Sequence, residues 1–138
     1  MAGEIPAWAA EYVGLPFRPH GRGPEGYDCW GLVRRVLADR WGVEPPSYDE
    51  RYATVTDPRI AETVEAEARA WRRVHPAHAR PGDVVVLRVR GLPLHTGVLV
   101  APPAFLHVME GVDSVIDRLD RPHWARRIVG VYRHAALA

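Results

Sequence analysis

Residues 28–41 read Asp28-Cys29-Trp30-Gly31-Leu32-Val33-Arg34-Arg35-Val36-Leu37-Ala38-Asp39-Arg40-Trp41, and this stretch decides the fold. Cys29, Leu32, Val33, Val36 and Leu37 recur at i, i+3, i+4, i+7 and i+8, the stripe of a helix with one buried side. Arg34, Arg35 and Asp39 fall on the outer side. Asp28 suits the N-cap and Gly42 the exit. The helix therefore starts on Cys29, directly after residues 14–27, a loop holding four Gly and three Pro.

Working outward, residues 6–13 read as a short helix, with Pro6 at its start, Gly14 at its end and Ile5, Trp8, Ala9 and Tyr12 on one side. Residues 43–56 are irregular. Residues 58–73 form a second amphipathic helix, capped by Asp57, with the stripe Ile60, Val64, Ala68 and Trp71. The second half changes character. Residues 84–90, 95–100, 105–110, 114–119 and 128–133 are short runs rich in Val, Ile and Leu, broken by Gly, Pro or Asp. Five strands after a helical half predict an α+β domain, an antiparallel meander with helices on one side. No repeat or linker divides the chain, so residues 1–138 are read as one domain.

Composition narrows the function. Of 138 residues, 47% are hydrophobic and 25% charged, with 18 basic and 17 acidic side chains and a net charge of +1. That near-balance argues against a dedicated nucleic-acid partner, and no apolar run reaches the ~18 residues of a membrane span. Every basic residue is Arg, so Schiff-base and Walker-type phosphate chemistry are excluded. Ser47 and Ser114 are the only serines and neither sits in a G-x-S-x-G elbow. The single Cys rules out an internal disulfide and any multi-Cys zinc site. His75 and His78 have the spacing of two metal ligands but no evident third, so no metal is assigned. The first seventeen residues have neither the basic start nor the apolar run of an export signal. The expectation is synthesis in the cytoplasm and no ordinary secretion.

Cys29 has two readings. A helix start favours an anion, which predicts a stabilised thiolate at the end of an open loop. A small buried apolar residue on the helix stripe explains it equally well. His95 and His107, twelve residues apart, stand on predicted strands amid apolar neighbours. They share a face if the intervening hairpin has a three-residue loop, 101–103, which sets His107 opposite Gly97 and diagonal to His95. A two-residue loop, 102–103, would put them on opposite faces. Two unrelated half-buried histidines are the alternative. The remaining histidines, His20, His123 and His134 included, read as surface residues.

Three blocks together resemble the NlpC family of papain-like cysteine peptidases, which cut peptide bonds in bacterial cell walls. The first is Gly14-Leu15-Pro16-Phe17 followed by Tyr27-Asp28-Cys29-Trp30-Gly31-Leu32-Val33, similar to the family's G-x-P-Y and D-C-x-G-L segments. The second is Arg80-Pro81-Gly82-Asp83. The third is His95-Thr96-Gly97-Val98 with His107 twelve residues on. The resemblance implies a papain-like α+β fold, helices packed on a five- to six-stranded antiparallel sheet with the nucleophile at a helix N-terminus. It implies a thiol peptidase with a Cys-His-His triad: Cys29 as nucleophile, His95 as general base and His107 orienting His95. It implies no cofactor. Asp28, Phe17, Trp30 and Arg18 are the substrate-binding candidates, Asp28 holding the free amine of a trimmed peptidoglycan stem peptide. Arg22, Arg88 and Arg90 are further partners for a substrate carboxylate or, singly, solvated surface charge. Phe17 stands where the family often has Tyr, so the oxyanion falls to the backbone N–H of Cys29 with Tyr27 or Tyr12.

Trp30 after the Cys, and Trp124-Ala-Arg-Arg-Ile-Val-Gly-Val-Tyr-Arg133, resemble a phage-tail branch of the family that includes gene-transfer-particle peptidases. The implied setting is a virion or phage-like tail, with tail-tip or hub proteins as partners and action in the periplasm of the target cell. A structural tail part with little hydrolysis, and an acyltransferase or amidase on the same scaffold, are the competing readings.

Overall fold

The computed structural model describes residues 4–137, so residues 1–3 and 138 of the expected domain lie outside the described residues. Helix α1 runs from Cys29 to Trp41 as the stripe predicts. The Asp28 carboxylate accepts from the Gly31 N–H at 2.8 Å, and Gly42, at φ 66°, closes the helix in the left-handed conformation that glycine tolerates. Leu32, Val33, Val36 and Leu37 are fully buried. Each such side chain contributes about 1.5–3 kcal/mol of burial.

Six strands make one antiparallel sheet: β1 Arg72–Val74, β2 Val84–Val89, β3 Leu92–Ala101, β4 Ala104–Met109, β5 Val112–Arg118 and β6 Ile128–Arg133. Their order is β1-β6-β2-β3-β4-β5. The expected meander holds from β2 to β5. The last strand departs from it, returning through the short helix α3 (Pro122–Ala125) to pair with β2. Beyond it lies β1, where a helix was expected. Helix α2 spans Arg59–Glu67, one tighter 3₁₀ turn follows over Ala68–Ala70, and the chain then extends to pair with β6. Asp57 does receive the Arg59 N–H at 2.9 Å, as a cap should. The predicted first helix is a 3₁₀ segment, Ala7–Tyr12. It buries Ala9 and Tyr12 but leaves Ile5 half exposed, against the expectation that Ile5 joins that side.

The sheet has a core on each face. On one, α1 packs over Val84, Val98, Val100, Leu106 and Val108. On the other, Val85, Leu87, Leu99, Phe105 and Val131 are sealed by Trp124 of α3. The Arg80-Pro81-Gly82-Asp83 turn is tied to β6 by a buried two-pronged ion pair, Arg133 Nε and Nη2 each 2.8 Å from Asp83. No helix among the described residues is long and apolar enough to cross a membrane.

Candidate active site

The β3–β4 hairpin fixes the two histidines. Its turn is the two-residue one, Pro102-Pro103, since Ala101 pairs with Ala104. By itself that turn would separate the histidines. The ladder, however, slips between Leu99 and Ala101, and beyond the slip Leu99 pairs with Phe105 and Val98 with Leu106. This bulge at Val100 restores the parity that a three-residue loop would have given, so Gly97 falls opposite His107. His95 Nε2 and His107 Nδ1 are 2.8 Å apart. Gly97 has no side chain because a Cβ there would meet the Phe105 ring at 2.6 Å.

The pair is dry. His95 stacks on Trp124 with ring centroids 5.8 Å apart, and Trp124 stands edge-on to His107 at 5.2 Å. Burial, with His107 adding to it, lowers the His95 pKa to about 3. Burial also lowers that of His107 to about 4, against the pull of Asp117. His107 Nε2 lies 3.5 Å from Asp117 Oδ2, and that same oxygen receives the Trp124 indole N–H at 2.8 Å. Asp117 was not foreseen. It belongs to β5, and only the register His107↔Val115 brings it near.

Cys29 opens α1 and is almost fully buried. Cys29 and Thr96 of β3 line one cavity, and the Thr96 donors only partly offset what burial does to the thiol. Leu94 and Thr96 line the Cys29 cavity on the α1 face of the sheet, while the His95 ring lies against Trp124 on the opposite face, so the structure does not bring the expected nucleophile and base together. Among the described residues no hydrogen bond joins Cys29 to His95 or His107. Of the two readings of Cys29, the buried neutral residue is the one the structure favours. Burial and the neighbouring Asp28 carboxylate push the thiol up to about 11, outweighing the helix start and the Thr96 donors. The resting site holds a neutral thiol and neutral imidazoles.

Asp28 is committed. Its Oδ1 receives Gly31 N–H and Arg22 Nη1–H, at 2.8 and 2.7 Å, and its Oδ2 receives the Tyr52 hydroxyl. Arg22 also donates to the Ser47 hydroxyl and carbonyl and to Tyr52, each at 2.8 Å. The carboxylate expected to hold a substrate amine is thus closed off by an ion pair and a tyrosine, and Arg22 is not free to bind a carboxylate. Gly31 permits this close loop, since a Cβ there would lie 1.9 Å from the Gly21 carbonyl oxygen.

The other predicted residues divide. Trp30 lines a cavity that begins at Cys29, with its indole N–H on the Pro46 carbonyl. Phe17 packs at the edge of the α1 core and bridges to Tyr27, and it does not line that cavity. Arg18 pairs with Glu25 at 2.7 Å on the surface. The two tyrosines are not oxyanion donors. Tyr12 donates to Asp39, near the far end of α1, about 15 Å from Cys29 at 1.5 Å per residue. The Tyr27 hydroxyl meets Arg35, two turns along the same helix. The backbone N–H of Cys29 is left from the expected set.

The NlpC/P60 family profile matches residues 14–133. The chain is 25% identical over 120 residues to the murein DD-endopeptidase MepS/murein LD-carboxypeptidase of Escherichia coli K12, which covers 86% of this chain. It spans only 55% of that relative. It is 26% identical over 129 residues to the gamma-DL-glutamyl hydrolase of Bacillus subtilis 168, covering 91% of this chain and 27% of that one. Among solved structures, an NlpC/P60 family protein from Bacillus cereus ATCC 10987 superposes with a TM-score of 0.68 at 18% identity, over 98% of this chain and 42% of the other. The NlpC/p60 domain of the peptidoglycan hydrolase SagA does so with a TM-score of 0.63 at 20% identity, over 91% and 92%.

Proposed function

The chain belongs to the NlpC/P60 family, and on that footing we propose that it is a cysteine peptidase hydrolysing stem-peptide bonds of bacterial peptidoglycan. The observation that carries this reading is the family match over residues 14–133, with Cys29 at the tip of α1 and His95 held through Nε2 by His107. The murein endopeptidase activity of the E. coli relative supports the substrate class.

The tautomers follow from the chemistry. For His95 to take the thiol proton on Nδ1, its Nε2 must carry hydrogen and donate to His107 Nδ1. His107 Nε2–H then points at Asp117. The thiol keeps its proton until His95 removes it, as a serine does in a triad. Sulfur attacks the scissile carbonyl carbon, and the oxyanion takes the Cys29 backbone N–H. The C–N bond breaks, His95 returns the proton to the leaving amine, and a thioester remains. Water, deprotonated by His95, then releases the carboxylic acid and restores the thiol. On this reading the His95 ring has to leave its seat on Trp124 to reach the Cys29 sulfur when substrate fills the site.

We place the domain in a phage-like tail, with hub or tail-tip partners and action in the target cell's periplasm. The support is the likeness of the Cys29-Trp30 and Trp124–Arg133 segments to that branch. Proteomics of purified particles that finds no copy removes this part. A second reading, a structural tail component with little turnover, is favoured by the buried neutral thiol. Digestion of purified sacculi separates the two. Soluble peptides with new amino termini are expected from the wild type and none from Cys29→Ala. No release from either protein selects the structural reading.

A further inference from the structure

We propose that the cavity at Cys29 receives a short, uncharged, apolar group on the acyl side of the scissile bond, an inference that deepens the peptidase reading and rests on it for its kinetic arm. The cavity measures about 100 Å³ and lies between α2 and the sheet. The α2 stripe was expected to be core. Instead Ile60, Val64, Ala68 and Trp71 are only half buried, because they face this space, with Val86 and Leu94 across from them. An apolar occupant would bury what the fold leaves open.

At its α1 end the cavity is lined by Asp28, Cys29 and Trp30, with Thr96 beside them. Thr96 Oγ1 is buried there with no hydrogen-bond partner among the described residues. A buried unpaired hydroxyl is costly, so the entering group brings one hydrogen-bonding atom to that end, the position of a carbonyl oxygen about to be attacked. None of the lining side chains is a cation that could receive a carboxylate. Arg22 is spent on Asp28, and Arg51 is drawn to Glu67, itself a wall residue, at 3.8 Å. Burying an unpaired carboxylate against such walls is strongly unfavourable.

The test compares p-nitrophenyl butyrate with mono-p-nitrophenyl succinate, of similar length but anionic. Sulfur forms the thioester, the ester C–O bond breaks, p-nitrophenolate leaves and His95 passes the thiol proton to solvent. Wild-type protein is expected to turn over butyrate faster by about tenfold or more, and Val64→Arg to narrow or invert that ratio. Equal rates, or a preference for succinate in the wild type, would overturn the proposal. A binding arm keeps it separate from the nucleophile. In Cys29→Ser protein, butyramide should perturb the fluorescence of Trp30 and Trp71 and succinamate should not. If the wild type releases no p-nitrophenol while butyramide binds, the nucleophile fails and the cavity assignment stands. If butyramide does not bind, the assignment fails whatever the esters do.

Discussion

His95 Nε2 and His107 Nδ1 face each other at 2.8 Å across the β3–β4 hairpin, so one ring must donate and the other accept. If His95 is the base through Nδ1, the required partner is an acceptor. His107→Ala should lower kcat by roughly 10- to 100-fold with little change in KM, less than the 10²–10⁴ at stake in losing the base itself. His107→Asn, whose carbonyl oxygen can accept, should recover part of the loss. Steady-state kinetics on a soluble muropeptide checks both. Equal loss in the two variants would mean that position 107 matters only for packing.

The hairpin also shows how far the sequence carries. Helix α1, its cap and β6 were legible because periodicity and cap chemistry are local signals. The facing of His95 and His107 was legible only as a condition, and the bulge at Val100 that satisfies it leaves no local mark. Strand β1 was hidden because Trp71 continues the helical stripe and a three-residue edge strand carries no alternation of its own. Thr96, Tyr52 and Asp117 went unseen as site residues for a related reason: each reaches the site through pairing or loop closure far along the chain. The sequence leaves a thiolate and a buried thiol equally open at Cys29 because the helix start is visible in it and burial is not.

Buried neutral histidines make stability depend on acid. Both folded pKa values, about 3 for His95 and about 4 for His107, lie below the unfolded 6.5. Their contribution is therefore present above pH 6.5 and is lost as pH falls towards the folded values. The melting temperature should drop between about pH 6.5 and pH 4. The double variant His95→Gln/His107→Gln should show a flatter slope over that window.

The Cys29 thiol gives the alkaline counterpart. Its folded pKa of about 11 is above that of a free thiol. Alkylation by iodoacetamide should be slow at pH 7 and rise with a midpoint well above the ~8.5 of free cysteine. The stability this shift contributes is present below ~8.5 and is lost as pH climbs towards 11. A midpoint near 7 would mean a preformed thiolate.

Tyr52 and Arg22 hold Asp28 in place at the tip of α1. Tyr52→Phe leaves Asp28 and Arg22 each one partner short and should destabilise the fold by about 1–3 kcal/mol. Asp28→Ala strands the buried Arg22 and removes the cap, and should cost about 3–5 kcal/mol. Urea denaturation midpoints measure both. An unchanged midpoint for Asp28→Ala would contradict the cluster's structural role.

The central claim is that Cys29 and His95 work as one proton-transfer pair. The direct measurement is kcat/KM on a purified muropeptide for wild type, Cys29→Ala and His95→Ala at pH 7. The account predicts that either substitution removes activity by at least about 10²–10⁴-fold, with the fold intact by circular dichroism. Wild-type activity in either folded variant would contradict it.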